Sequence, residues 1–331
     1  TRLQGDWSSD VCSSDPPREC RSRATPGFEM ARWFSLSACS QDLGEATIPA
    51  VSSKSSQELE IPHPWDPPTA AVLGLVHLGS GLALLHFSWS GLVLCLLLYV
   101  LTCLGITLGY HRLLTHRSYR AHPALEVLLV ALAGLACQGG PATWVAVHRL
   151  HHARSDQDGD PHGAQKGFWW SHMGWMLTRP PHKLDPGIKS RMAPDILKDP
   201  WLAGFDRYHF GWAALSALAL WAWGGWSWLL WGGCFRLMLT YHATWLVNSA
   251  AHLYGYRSHD TGDRSTNCWW VALLTFGEGW HNNHHAFPSS ARHGLARHEF
   301  DVSYAILKCL GHLGLVWDLK GIPKQRAGPG Q

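Results

Sequence analysis

Nine histidines fall into closely spaced groups, and residues of this type at this spacing are typical of metal coordination. Two groups read His-x-x-His-His, one reads His-x-x-x-x-His, and a ninth histidine closes an Asn-x-x-x-His element. In chain order the residues are His111 and His116, His148, His151 and His152, Asn248 and His252, and His281, His284 and His285. Neutral imidazole is a common ligand of iron, copper, nickel and zinc.

Helical spacing predicts which of these side chains converge. Residues at i, i+3 and i+4 share one face of an α-helix, so each His-x-x-His-His group is expected to converge, as are Asn248 and His252. His111 and His116 are five residues apart, roughly 140° around a helix of 3.6 residues per turn. They point in different directions unless the helix ends or distorts between them, which leaves open that they serve different metal ions.

The number of ligands indicates which metal centre is present. A zinc ion takes four ligands and would leave five of the nine histidines unused. Two iron ions use all nine, with Asn248 bound to one of them through a water molecule. Asp156, Asp160 and Glu278 lie close in sequence. We expect their carboxylates to accept imidazole N–H groups and so fix the tautomers of the ligands.

The alternative is that these residues are surface histidines of a histidine-rich chain. The chain has 22 histidines, and at that frequency roughly 0.1 His-x-x-His-His motifs are expected by chance, a risk that any motif match carries. Two such motifs beside the other elements make chance a poor explanation. The remaining histidines are better interpreted as structural residues than as ligands, among them His162, His172, His182 and His293.

The elements that position these groups are predicted to be membrane-spanning helices. Hydrophobic residues make up 46% of the chain and charged residues 15%, below the roughly 25% charged residues of soluble domains. Four apolar segments approach the roughly 20 residues that cross a bilayer core, at 69–87, 91–110, 210–230 and 232–251. A shorter apolar run at 124–136 predicts an in-plane or re-entrant helix.

Two tight helical hairpins return the chain to the same side of the membrane, so all histidine groups lie on one face. The 111–209 connection carries many basic residues and the short opposite turns carry none. This charge bias indicates that the shared face is cytoplasmic or stromal. The fold predicted is an all-α integral membrane protein with four transmembrane helices and a helical cap. The host membrane stays open among the endoplasmic reticulum, the plastid and the bacterial inner membrane.

The domain organisation predicted has three parts. Residues 1–64 form a polar, serine-rich extension with no strong structural signal, and a targeting segment or non-native residues are alternatives for it. Residues 65–310 form the membrane domain, and 311–331 form a C-terminal tail. The formal net charge of +3 and the lack of a basic stretch interleaved with aromatics do not indicate nucleic-acid binding.

Six segments resemble the membrane fatty acid desaturases, in the Δ9 branch that introduces the first double bond. These are 109–116, 144–152, 160–162, 167–172, 248–252 and 277–285. The resemblance implies that the nine histidines bind two iron ions, with Asn248 acting through water, in a four-span helical fold with a cytosolic cap. It also implies a fatty acyl substrate, dioxygen as co-substrate, and Trp144 and Trp280 as candidates for the lining of the substrate tunnel.

The sequence departs from one branch of this family at two positions that bear on the carrier of the acyl chain. Animal-type acyl-CoA desaturases place a basic and an acidic residue just before the second histidine group, where this chain has Ala146 and Val147. The chain looks more like cyanobacterial and plastid acyl-lipid enzymes, so a lipid-bound acyl chain is slightly favoured over acyl-CoA. Lys166, Arg179 and Lys183 are the basic residues that could still contact a CoA carrier.

The reaction needs electrons from outside. The sequence shows no glycine-rich nucleotide fingerprint and no fused cytochrome b5-like segment, so ferredoxin or cytochrome b5 is the expected donor. A membrane hydroxylase or ketolase, or a sphingolipid desaturase, is the nearest alternative, since the same spacing serves these chemistries. A metal transporter or metal-binding membrane protein is the alternative from another class. Transport would need charged or metal-binding polar residues inside the spans, and the first two contain no Asp, Glu, Lys or Arg and only the histidines His77 and His86.

Overall fold

The computed structural model describes residues 64–322 except 181, 182 and 184, and it is mostly helical. The predicted 1–64 extension, except for residue 64, therefore lies outside the described residues, as does His182. The longer helices are α1 (Pro67–Leu85), α2 (Trp89–Leu104), α3 (Pro123–Gly134), α4 (Pro141–Arg154), α8 (Pro200–Trp228), α9 (Arg236–Asn248) and α12 (Val302–His312). Short helices are α5 (Phe168–His172), α6 (Ile188–Met192), α7 (Pro194–Lys198), α10 (Trp269–Leu274) and α11 (His281–Ala286).

Seven further elements lie within the described residues. Two are π-helices, Gly105–Thr115 after α2 and Leu229–Phe235 between α8 and α9. Three are 3₁₀ turns, at Ala164–Lys166, Gly174–Met176 and Ala250–His252. Strands β1 (Arg120–Ala121) and β2 (Val316–Trp317) pair antiparallel, which ties part of the predicted C-terminal tail to the rest of the domain.

Within the described part of the chain, three helical stretches are long and apolar enough to cross a membrane: Pro67–Leu85, Trp89–Thr115 and Pro200–His252. The first two form the predicted hairpin. Ser88 starts the second one by accepting the N–H of Gly91, which satisfies one of the free amides at a helix N-terminus. Large apolar side chains such as Leu75, Leu85 and Val93 stay exposed on the outer faces, as expected of surfaces that meet lipid.

The third stretch is longer than one membrane crossing, and the chain reverses within it. Gly225 has φ 59° and ψ −152°, a left-handed conformation that glycine adopts easily and that interrupts the helix. A β-carbon placed on Gly232 would lie 3.2 Å from Cδ2 of Leu220. Twelve residues of straight helix would separate those positions by about 18 Å. The stretch therefore consists of two helices packed against each other.

The π-helix Gly105–Thr115 brings the second stretch from the predicted membrane segment into the cap. Helix α3 packs closely along it, because Gly105 and Gly109 have no side chains at the contact. A β-carbon on Gly109 would lie 3.0 Å from the carbonyl oxygen of Leu129. The apolar run predicted at 124–136 is thus a helix, and its buried face packs against this segment through Leu129, Val130 and Ala133.

The cap is built on the main apolar cluster of the described residues. Helix α4 contributes Ala142, Val145 and Ala146, and α12 contributes Leu307. The π-helix adds Leu108 and Tyr110 to the same cluster. This core fixes α4 beside the π-helix, so that the histidines at the ends of both elements face one another.

Candidate metal centre

The nine predicted histidines come together as two groups. Within each group the candidate ligand nitrogens all lie within 4.8 Å of one another. The five-histidine group contains His111, His116, His148, His152 and His284. The four-histidine group contains His151, His252, His281 and His285. The side chains are buried or half-buried, so each group forms a protected cluster of imidazole nitrogens.

His111 and His116 belong to the same group, because the segment that carries them is a π-helix. The backbone N–H of His116 donates to the carbonyl of His111 at 3.1 Å, the i→i+5 bond of a π-helix. The two ring centroids lie 4.7 Å apart. The segment is therefore the distorted helix that the spacing left open, and its geometry favours one shared metal site for both residues over two different ions.

The prediction that all three members of each His-x-x-His-His group converge is correct only for the first and last. Nε2 of His148 lies 3.1 Å from Nε2 of His152, whereas His151 belongs to the other group. Adjacent helical residues point about 100° apart. The middle histidine therefore faces a second site, and each short helix supplies both groups.

Helix α11 shows the same division in reverse. Nε2 of His281 and Nε2 of His285 lie 3.0 Å apart within the four-histidine group. His284 turns to the five-histidine group, where its Nε2 is 2.9 Å from Nε2 of His152. His252 completes the four-histidine group, with Nε2 3.0 Å from Nε2 of His281. Because α4 and α11 each serve both groups, the two sites are adjacent.

Each predicted carboxylate lies against Nδ1 of a clustered histidine, and Asp156 and Asp160 accept hydrogen bonds there. Nδ1 of His252 is 2.8 Å from Asp156, Nδ1 of His151 is 3.0 Å from Asp160, and Nδ1 of His111 is 2.7 Å from Glu278. A neutral imidazole that donates its Nδ1–H keeps the lone pair of Nε2 free for a metal ion. These contacts give Asp156, Asp160 and Glu278 the orienting geometry expected from the sequence.

Sequence reasoning missed a fourth carboxylate. Asp263 Oδ2 lies 2.6 Å from Nδ1 of His285, and its Oδ1 accepts from the hydroxyl and backbone N–H of Ser265. Asp263 comes from the loop that follows the Ala250–His252 turn, outside every histidine motif. Its spacing from His285 carries no helical signal, so only the folded loop shows the contact.

The protonation states suit a divalent cation. Burial lowers the pKa of His148, His152, His281 and His284 well below the ordinary value, and lowers that of His285 to about 4. Burial acts to raise the pKa of Asp160 and Asp263, but hydrogen bonds and attraction from His151 and His285 bring it below the ordinary range. These five imidazoles are therefore neutral, and these two carboxylates charged, at neutral pH.

The hydrogen-bond balance of the four-histidine group tests whether a metal ion fits. His252 and His285 use Nδ1–H on carboxylates, so both present an Nε2 lone pair to His281 at 3.0 Å. His281 can donate to only one of them. Nε2 of His116 and Nε2 of His151 are buried without a hydrogen-bond partner. This excess of converging lone pairs matches what a coordinated cation requires.

Two further histidines border the groups. His293 lies 3.3 Å from Glu278 and His162 lies 4.0 Å from Asp160, so each shares a carboxylate with a clustered histidine. Their positions fit the structural interpretation, because they support the carboxylates. Arg112, fully buried, also donates to Glu278 and to Asp301, and its charge holds the pKa of Glu278 low despite burial, together with His111 and His293.

A largely apolar cavity adjoins both groups. It is lined by Ile106, Trp144, Val247 and Asn248 together with His111, His148 and His281. Trp144 stacks on His148 with ring centroids 5.0 Å apart. Asn248, the last residue of α9, therefore faces the same space as members of both groups. Trp280 is buried elsewhere, donating its indole N–H to the carbonyl of Phe300 at 3.0 Å, and does not line this cavity.

The positions that would hold a charged pair in animal-type acyl-CoA enzymes are apolar and packed. Ala146 is fully buried in the main apolar cluster and Val147 is half-buried. Of the basic residues that could replace them, Lys183 donates to the carbonyls of Met176 and Thr178 and pairs with Asp66. Those contacts already use its ammonium group.

Comparison with known proteins agrees with the histidine geometry. The family model for the fatty acid desaturase matches residues 87–301, well over half of the chain. An sn-1 stearoyl-lipid 9-desaturase of Anabaena variabilis is 51% identical over 78% of this chain and 94% of the relative. An sn-1 stearoyl-lipid 9-desaturase of Synechocystis sp. is 48% identical over 75% of this chain and 78% of the relative.

A relative named for an acyl chain carried by CoA, and not by a lipid, is also similar to this chain. An acyl-CoA 5-desaturase of Anemone leveillei is 43% identical over 71% of this chain and 73% of the relative. The family match and the identities to relatives covered over most of their length establish the relationship. This chain belongs to the fatty acid desaturase family of oxygen-dependent oxidoreductases.

Proposed function

We propose that the chain introduces the first cis double bond, at the Δ9 position, into a stearoyl or palmitoyl chain carried by a glycerolipid. The observation that carries the proposal is the pair of histidine groups beside one apolar cavity, with Trp144 packed on His148 at its wall. The relatives named as stearoyl-lipid 9-desaturases support the position and the carrier. The apolar Ala146 and Val147 also favour a lipid carrier over CoA.

The proposed cofactor is a pair of iron ions. The five-histidine group would hold one ion, and the four-histidine group would hold the other with Asn248 through a water molecule. When bound, the irons supply the redox chemistry that removing hydrogen from unactivated methylene groups requires, which acid–base side chains cannot provide. The converging Nε2 lone pairs and the carboxylate partners of Nδ1 support this assignment.

The chain's own residues orient the ligands and shape the space for the substrate. Asp156, Asp160, Asp263 and Glu278 hold four imidazoles in one tautomer. The apolar wall of Ile106, Ala243 and Val247 excludes water and accommodates an alkyl chain. The rigid stack of Trp144 on His148 sets the wall at the metal centre, and we expect this contact to limit which carbon atoms approach it.

The proposed membrane arrangement has four spans in two hairpins, with the cap cytoplasmic or stromal. The reversal at Gly225 supports it, because it divides the Pro200–His252 stretch into two crossings. The basic residues of the 111–209 connection support the sidedness. With this arrangement the metal centre lies where α2, α9 and the cap meet, within reach of a lipid acyl chain from the bilayer.

The stoichiometry of the reaction also shows that an electron donor is required. A –CH₂–CH₂– unit, one dioxygen molecule, two electrons and two protons give –CH=CH– and two water molecules. We propose that the electrons come from a separate one-electron carrier, a ferredoxin or cytochrome b5. Histidine, carboxylate and tryptophan side chains at this site carry no electron reservoir for two equivalents, so each turnover needs the carrier twice.

A competition assay tests the carrier of the acyl chain. Reconstituted protein with a reduced electron carrier is given equal amounts of labelled stearoyl-CoA and stearoyl-glycerolipid, and the products are followed with time. We expect labelled oleoyl-glycerolipid to form directly. Oleoyl-CoA appearing first, with lipid product only after a delay, would identify the thioester as substrate. A hydroxylated chain would instead favour the hydroxylase alternative, and a metal-dependent ion flux without product would favour a transporter.

A further inference from the structure

The two histidine groups differ in the carboxylates that support them. Within the described residues, Glu278 is the one carboxylate paired with a member of the five-histidine group, and its Oε2 lies 2.7 Å from Nδ1 of His111. The four-histidine group is paired with three carboxylates, those of Asp156, Asp160 and Asp263. The support of the five-histidine group therefore depends on how Glu278 itself is held.

The two oxygens of Glu278 have different neighbours. Oε1 accepts hydrogen bonds from Nε and Nη2 of Arg112, both at 3.1 Å, and from the hydroxyl of Thr107. Oε2 faces Nδ1 of His111, and Nδ1 of His293 lies 3.3 Å from the same oxygen. Arg112 thus holds one oxygen in place, and this orients the other oxygen toward the metal ligand.

Arg112 is itself fixed by a second carboxylate. Its side chain is fully buried, and a guanidinium has five N–H donors in one rigid plane. Two of them donate to Glu278, and one donates to the carbonyl of Ala291 at 2.8 Å. The other two donate to Oδ2 and Oδ1 of Asp301, at 3.0 and 3.1 Å. All the donors are used, so the plane of the guanidinium depends on Asp301.

Asp301 also fixes the other neighbour of Glu278. Its buried Oδ2 accepts the backbone N–H of His293 at 2.8 Å, while its Oδ1 starts helix α12 by accepting a backbone N–H there. A β-carbon on Gly277 would lie 3.3 Å from Nη2 of Arg112 and would meet Oδ1 of Asp301. The ion pair therefore lies directly against the backbone that leads into Glu278. One carboxylate thus holds both the cation and the imidazole that adjoin Glu278.

We propose that Asp301 is a positioning residue for one of the two metal sites, the five-histidine group. Through Arg112 and His293 it fixes Glu278, and through Glu278 it fixes the ring of His111. This rests on the two-metal centre of the proposed function. The carboxylates of the four-histidine group are held by other segments, so a change at position 301 weakens the binding of one metal ion and leaves the other unchanged.

Asparagine at position 301 separates this role from the folding of α12. Asparagine caps a helix as well as aspartate does, so α12 keeps its first turn. It has only one carbonyl oxygen, so it cannot accept from both Nη1 and Nη2 of Arg112. Asp199→Asn is the matched control, because Asp199 caps α8 by accepting the N–H groups of Trp201 and Leu202. Within the described residues, Asp199 forms no ion pair.

Cobalt(II) titration of the metal-free full chain in lipid nanodiscs, against a competing chelator, measures both sites without turnover. Loss of a hydrogen-bond partner of a ligand lowers metal affinity about 10- to 100-fold, and we expect the lower end for one of the two ions in Asp301→Asn. The second ion, and both ions in Asp199→Asn, should bind as in the wild type. Unchanged affinity in Asp301→Asn, or equal weakening of both ions, overturns the proposal. If Asp301→Asn does not fold, Arg112→Lys, which keeps the charge but loses the planar fork, is judged by the same criteria.

Proton NMR of the cobalt-loaded chain identifies the affected ion, because the Nδ1–H of each coordinated imidazole gives a strongly shifted signal that exchanges with solvent. Glu278→Gln assigns the signal of His111. We expect Asp301→Asn to move that signal and to leave those of His252 and His285 in place. Movement of all these signals alike would indicate general loosening and overturns the proposal.

A double-mutant cycle tests the path from Asp301 to the metal. In the Glu278→Gln background, Asp301→Asn should have little further effect on cobalt affinity, because residues that act in one path are not additive. Full additivity overturns the proposal, as does a wild-type chain that binds no cobalt. A wild-type chain that binds two cobalt ions, but makes no double bond when loaded with iron, fails the proposed function while the cycle still decides the role of Asp301.

Discussion

The backbone N–H of His116 donates to the carbonyl of His111 at 3.1 Å, and this bond across five residues places both rings in one group. An α-helical turn would have directed the two rings roughly 140° apart. The π-helix Gly105–Thr115 thus converts an unfavourable spacing into a shared site. Its geometry depends on close packing against α3, where Gly105 has no side chain.

Replacing Gly105 by alanine should disturb the metal centre, although Gly105 is not one of the candidate ligands. The new β-carbon would meet the backbone nitrogen of Ala133 and lie 2.8 Å from Cβ of Leu132. We expect a loss of about 1–3 kcal/mol in the free energy of unfolding and a lower iron content. Gly74→Ala is the control, since nothing lies within 4 Å of a β-carbon there. Thermal unfolding in detergent and iron analysis measure both, and equal behaviour of the two variants would contradict the packing argument.

Replacing Asp263 by asparagine should weaken metal binding without removing a ligand. Asp263 accepts Nδ1–H of His285 at 2.6 Å, and loss of such a partner typically lowers metal affinity about 10- to 100-fold. We expect Asp263→Asn to lose iron at chelator concentrations that leave the wild type intact. Asp260→Asn is the matched control, because Asp260 is fully exposed in the same loop. Identical chelator curves for the three proteins would show that Asp263 does not support the site.

Acidification should destabilise the metal-free protein between about pH 6.5 and pH 4. Burial lowers the pKa of His285 to about 4, so in this window the unfolded chain binds more protons than the folded chain. Stability therefore falls as the pH falls, by about 1.4 kcal/mol for each unit of difference in pKa. We expect the Tm of the metal-free chain to decrease over this range, and to decrease less in His285→Gln. A Tm that is constant across the window would contradict the assignment.

Replacing His148 by alanine should remove iron and activity together. The wild type is expected to contain about two irons per chain, since imidazole coordination of iron accounts for all nine histidines. His148→Ala should lose iron from the five-histidine group while still inserting into membranes. His312→Ala, at an exposed position at the end of α12, should keep both irons. Metal analysis that found one tightly bound zinc and no iron would refute the two-iron assignment.

The sequence predicted much of the site because its information is local. His148 and His152, and His281 and His285, are i, i+4 pairs, and such pairs face the same way on any helix. Asp156, Asp160 and Glu278 lie within a few residues of the clusters, so proximity alone suggested them. Apolar length likewise predicted the helices of the first hairpin to within a few residues.

What escaped prediction depends on contacts between distant segments. The π-helix at 105–115 is selected by packing of Gly105 and Gly109 against α3, which no local pattern of His111 and His116 reveals. The Asp263 contact depends on the path of a loop. His242 contacts both His77 and His172, which lie on two other helices, and no local pattern in the three segments indicates these contacts.

Product analysis tests the central claim most directly. The chain is expressed in cells whose own Δ9 desaturation is absent, alongside His148→Ala as the inactive control, and the acyl chains of the glycerolipids are analysed by mass spectrometry with localisation of double bonds. We predict chains with one cis double bond at carbon 9 in cells with the wild type and none with the variant. Hydroxylated or keto products, or an unchanged lipid profile in cells where the protein is present with its iron, would contradict the account.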